Sequence, residues 1–116
     1  MSDAAMLEQI EHLLHAPTSG ACAPTQARLE EALTEGYAQA LALEAERLRL
    51  ERRITEIARE VDGTDFSPYA GELSSLGGRL TGADRELTTL RELLVSLRQR
   101  ARTAPLAGQT IPERTA

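Results

Sequence analysis

Aromatic residues are nearly missing from this sequence: its 116 residues include one Phe, two Tyr and no Trp. A compact core is hard to fill without rings, so an extended helical object is the expected architecture. Lysine is missing altogether, and all thirteen basic residues are Arg. With the rest of the composition ordinary, that bias reads as the mark of a GC-rich genome rather than a need for guanidinium forks. The formal net charge is -5. A dedicated nucleic-acid binder would carry a basic stripe instead, so direct nucleic-acid binding is not expected.

Cysteine is nearly absent as well. Cys22 stands alone, cannot staple the chain, and points to a reducing compartment. It has no oriented base near it in sequence and reads as inert. No stretch of 18 apolar residues occurs, and no basic flank precedes an apolar run at the N-terminus. Neither a membrane span nor a signal peptide is expected, which gives a cytoplasmic protein. Glycine-rich phosphate loops, hydrolase elbows and zinc spacings are missing too. The expectation is a protein that is not an enzyme and holds no cofactor or metal. Glu8, Glu11, His12 and His15 fall within two helical turns, but no other His exists to complete a carboxylate-bridged site.

What is present is helical periodicity. Ser2 or Asp3 can cap a short amphipathic helix over 1–15, with Met6, Leu7, Ile10, Leu13 and Leu14 on one face. A flexible linker is expected over 16–24, where "APTSGACAP" brings Pro and Gly together. An antiparallel α-hairpin is expected over 25–102. Its turn lies near 62–67, where Asp62-Gly63 is a turn dipeptide and Ser67 precedes Pro68 as an N-cap. The tail, 103–116, lacks periodicity and is expected to be disordered.

Two seams define the hairpin. Leu29, Leu33, Gly36, Ala40, Leu43, Arg47, Leu50, Ile54, Ile57 and Val61 alternate in steps of four and three. So do Tyr69, Leu73, Leu76, Leu80, Ala83, Leu87, Leu90, Leu94, Leu97 and Ala101. The lists mirror each other about residue 65, so Val61 meets Tyr69, Leu50 meets Leu80 and Gly36 meets Leu94. The fold class is therefore all-α: a long antiparallel helical hairpin, or coiled coil, preceded by a short amphipathic helix. Dimerisation or a partner would complete it as a bundle, because two helices bury only one stripe.

Two surfaces stand outside the seam. Tyr37, Leu41, Ala45 and Leu48 form a second apolar stripe on the first long helix, open to the N-terminal helix, a second copy or another protein. On the second long helix, Gly71, Ser75, Gly78 and Gly82 share an outward face within "GELSSLGGRLTG". Mid-helix glycines cost about 1 kcal/mol each relative to Ala. The stretch reads as a weak or kinked segment restarted by Thr81 and Asp84, as drift, or as a small-residue face that lets another helix or a ligand come close to the backbone.

The remaining polar candidates have plainer roles. Arg47 sits in the seam, where its stem would cover Leu43 and Leu50 while its head pairs with Asp84 or Glu86. Arg47 and Arg79 are also the candidates for an anion site. Glu60, Asp62 and Asp65 make an acidic tip suited to turn chemistry. In outline alone, such a tip is similar to the Gre-type and DksA-type hairpins that enter RNA polymerase, whose tip motifs do not occur here.

The expected function is that of a non-enzymatic coiled-coil interaction protein: an adaptor, chaperone-like or anti-sigma-like factor, or a homodimer. Tyr37, Leu41, Leu48, Gly71, Ser75, Gly78 and Gly82 would make the contact. The alternatives are a helical sensor of an anionic nucleotide held by Arg47 and Arg79, or a regulator presenting its acidic tip to RNA polymerase.

Overall fold

The computed structural model describes residues 3–61, 63 and 65–104. The tail beyond Ala104, the Ser2 cap and Asp62 at the tip lie outside the described residues. The chain is all-α, with helices α1 (Asp3–His15), α2 (Gln26–Glu60) and α3 (Ala70–Thr103). It divides into two compact units. One takes in α1, residues 26–38 of α2 and residues 90–103 of α3; the other spans residues 39–89. We call them the three-helix unit and the hairpin unit.

In the three-helix unit, Leu29, Leu90, Leu97 and Ile10 are all but inaccessible to solvent, and Leu33, Leu94 and Ala101 are buried with them. Apart from Ile10, which α1 contributes, these are the seam positions of α2 and α3. Thr25 starts α2: its Oγ accepts the Arg28 N–H at 3.2 Å, the N-cap bond that satisfies one of the helix's four unpaired donors. Gly36 is buried here. A Cβ on it would stand 2.5 Å from Leu94 Cδ2 and 3.6 Å from Ile10 Cδ1. The missing side chain is thus the space that Leu94 and α1 occupy.

In the hairpin unit, Leu50, Ile57 and Leu76 form the buried cluster, with Ile54, Val61, Tyr69, Leu73 and Leu80 packed against it. These too are the facing seam residues. The turn has Gly63 at φ +76°, a left-handed conformation that side chains rarely adopt. The entry to α3 differs from the expected Ser67 cap. Asp65 Oδ1 accepts the Ser67 N–H at 3.0 Å, and a 3-10 turn, Ser67–Tyr69, with Pro68 near its start, leads into α3. Phe66 stands at the N-cap and makes no side-chain cap bond, so the Asp65 carboxylate closes an Asx turn ahead of the helix instead. α3 then runs unbroken through Gly77, Gly78 and Gly82, so Thr81 and Asp84 restart nothing.

Candidate functional site

The α2 stripe comes first. Leu41 and Leu48, in the hairpin unit, are 67% and 53% exposed, and Ala45 between them is exposed. Side chains at positions 41, 45 and 48 stack on one side of a helix. Fully burying one leucine stabilises by about 1.5–3 kcal/mol, so this side of the hairpin unit leaves sizeable apolar surface in water. The fold had no choice about it: the seam takes Leu43, Leu50 and Ile57 inward, and the helix turn carries 41 and 48 out.

Tyr37, in the three-helix unit, has a different setting. Arg98 Nε donates to its hydroxyl at 3.0 Å, Arg98 Nη2 donates to the same oxygen, and the guanidinium carbon lies 5.6 Å from the ring centroid. Its ring is thereby held in place, while part of it stays exposed.

The outward face of α3 is open. Gly71, Ser75, Gly78 and Gly82 are exposed, and no atom lies within 4 Å of where a Cβ on Gly71, Gly77, Gly78 or Gly82 would stand. Among the described residues, no packing neighbour from outside the local helix backbone requires these glycines. That removes intramolecular packing as their reason.

The charged candidates are held by carboxylates. Arg47 reaches Asp84 at 3.3 Å and Glu51 at 3.8 Å, and Arg79 donates to Glu46 at 2.8 Å. The two guanidiniums therefore reach different acids. Hydrogen bonds from Arg49 and then Arg79 hold the Glu46 carboxyl below its ordinary value. Arg53 grips Glu72 with two bonds, at 2.7 Å and 3.1 Å, and lowers the Glu72 carboxyl in turn. The Ser67 backbone N–H does the same for Asp65 at the tip, and Glu60 lies 3.5 Å from Arg53. Tyr69 is pushed up by desolvation and by the nearby Glu60 charge. The described acids of the tip thus serve the turn and an ion pair within α2.

At α1, His15 Nδ1 lies 2.8 Å from the Glu11 carbonyl. Because a carbonyl only accepts, Nδ1 carries the proton. Among the described residues, no three His, Cys, Asp or Glu side chains gather as a metal group would. None of the helices described is long and apolar enough to cross a membrane. Cys22 is free and exposed.

Sequence reasoning missed one polar device. Arg100 reaches α1 and donates to the carbonyls of Leu13 (3.0 Å), Leu14 (2.6 Å), Ala16 and Pro17 (2.6 Å). A helix ends with unpaired carbonyls and a partial negative charge, and a guanidinium fork satisfies both. Every helix end offers such carbonyls, so no sequence pattern announces which arginine will take them. Val95 and Phe66, 59% and 44% exposed, were also not singled out as contact residues.

The chain matches no protein-family model, and neither curated proteins nor solved structures show a significant match to it.

Proposed function

We propose that this chain is a non-enzymatic helical interaction protein that works by docking a protein on the outward side of α2 in its hairpin unit. The observation that carries the reading is the exposure of Leu41 and Leu48, 67% and 53%, on a helix whose inward face is already satisfied. An adaptor, a chaperone-like factor or a regulator of anti-sigma type would each use such a face. The polar candidates support the same reading indirectly. Arg47, Arg79, Asp65 and Glu60 are engaged in ion pairs or turn bonds within the hairpin unit, which leaves apolar contact as its main unspent resource.

The outward face of α3, with Gly71, Ser75, Gly78 and Gly82, is a second place where a partner helix can come near the backbone. Capture from native lysate tests the reading, with the chain compared to a Leu41→Asp, Leu48→Asp variant and to Gly78→Leu. The expected result is a defined partner, or a second copy, that the native chain retains and the double variant loses. If the native chain neither self-associates nor holds any protein that the double variant releases, the reading fails.

A further inference from the structure

We propose that the outward side of α2 in the hairpin unit takes an amphipathic helix of another protein, apolar over one half of its contact face and acidic over the other. This rests on reading the chain as an interaction protein and adds the chemistry of its partner.

Leu41, Leu48, Arg52 and Arg59 are all exposed, and all lie on α2 inside the hairpin unit. At about 100° per residue they fall within roughly 40° of one another around the helix, on the side turned away from Leu43, Leu50 and Ile57. They run along about 27 Å of helix at about 1.5 Å per residue. The leucines come first and the arginines follow, with exposed Ala45 and Thr55 beside them. An apolar half is thus continued by a cationic half.

The two arginines differ from their neighbours in what they hold. Arg47 reaches Asp84, Arg49 and Arg79 reach Glu46, and Arg53 reaches Glu72. Among the described residues, Arg52 and Arg59 take no carboxylate. With Leu48 and Thr55 they border one shallow hollow, together with Glu51 and Glu56. Those two acids have partners of their own: Glu51 lies 3.8 Å from Arg47, and Glu56 lies 3.2 Å from Arg53. Glu44, half-buried beside the leucines, is engaged as well. The charge left over in the hollow is therefore positive.

A guanidinium fork matches a carboxylate, and exposed leucines gain by being covered. One helix lying along α2 does both when its apolar residues face Leu41 and Leu48 and its carboxylates face Arg52 and Arg59. An anionic membrane fits less well. The chain carries a net charge of -5, and a uniformly charged surface would meet Glu51 and Glu56 along with the arginines, whereas a helix places its carboxylates singly.

Thr55→Cys on a Cys22→Ser background carries a benzophenone between the two arginines. Irradiated in native lysate, it should cross-link to a carboxylate-bearing segment of another protein, identified by mass. The adduct should be lost on adding Arg52→Glu with Arg59→Glu, and also on adding Leu41→Asp with Leu48→Asp, with helix content unchanged because all four are surface positions. Made as a peptide, the captured segment should bind the native chain about twofold to thirtyfold tighter than an Arg52→Gln, Arg59→Gln variant. That advantage should shrink as salt rises from about 0.05 M to about 0.5 M.

A captured segment without acids, an adduct that survives the charge reversal, or an adduct with a second copy of the chain overturns the acidic partner and leaves the interaction reading standing. Binding to phosphatidylglycerol vesicles that the charge reversal abolishes, with no protein adduct, names a membrane surface and overturns the proposal. If no adduct of any kind depends on Leu41 and Leu48, the interaction reading falls as well.

Discussion

The two compact units solve the same problem with different means. Both must hold a stretch of α2 against a stretch of α3. In the three-helix unit, α1 supplies a third wall, and Ile10, Leu29, Leu90 and Leu97 are almost wholly withdrawn from water. In the hairpin unit, two helices face each other alone. Much of its seam, including Ile54, Leu73 and Leu80, is only partly buried. Ion pairs joining the two helices flank that seam: Arg53 with Glu72, Arg79 with Glu46, and Arg47 with Asp84. A third element completes one core; the other leaves Leu41 and Leu48 outside. The lesson is that two helices bury one stripe, and anything further needs another body.

Glycine tells the same story. Gly36 belongs to the three-helix unit, and its missing Cβ makes room for Leu94 and Ile10. Gly71, Gly77, Gly78 and Gly82 belong to the hairpin unit and face open space. Among the described residues, packing accounts for the first glycine and not for the other four.

The comparison breaks most readily at the buried leucines. Leu97→Ala, in the three-helix unit, should cost about 3–5 kcal/mol, the range for emptying a closed site. Leu80→Ala, in the hairpin unit, should cost about 1–2 kcal/mol, because part of that side chain already meets water. Urea unfolding reads both, and equal costs would erase the distinction between the units. Gly36→Leu should come next, at about 1–3 kcal/mol for overpacking. Amide exchange along α1 should quicken with it, since Ile10 shares that space. An undisturbed α1 would mean that the notch is idle.

The opposite sign is expected in the hairpin unit. Gly77→Ala and Gly78→Ala should each stabilise by up to about 1 kcal/mol, because Ala is the better helix former and its Cβ meets nothing within 4 Å. Destabilisation by either substitution would show a neighbour that the monomer does not contain.

The smallest effect is one of pH. Glu46, Asp65 and Glu72, all in the hairpin unit, have carboxyls held below their ordinary values by arginine or backbone donors. Their contribution is present above the unfolded carboxylate value near ~4 and is lost as pH falls through the lower folded values. Residue-level exchange followed from about pH 6 to about pH 2.5 should show the hairpin unit loosening before the three-helix unit. The reverse order would put the acid-sensitive contacts elsewhere.

Much of the architecture was legible in the residues. The mirrored seam named the packed faces of α2 and α3, because a sustained heptad leaves few registers for a short turn to join. The partnership of Arg47 with Asp84 was legible for the same reason, and so was the opposition of Gly36 and Leu94. The start of α3 was not, since Asp65 and Ser67 are both cap-forming residues and only backbone geometry selects one. Nor was the grip of Arg100 on α1, which depends on where a separate helix comes to rest. The outward positions Leu41, Leu48 and Gly78 could be named as surface, but periodicity cannot tell an exposed leucine from one covered by a folded-back helix.

Periodicity acts through local geometry, and local geometry is what the sequence carries by itself. It determined here that the chain is helical, where the long helices turn back, and which side of each faces the other. The resting place of α1 was decided by tertiary structure alone: against Gly36 and under Arg100. The reason is that a short helix on a linker can reach more than one apolar stripe. The choice among them rests on a notch of missing atoms and on carbonyls waiting for a donor, which exist only once the helices have met.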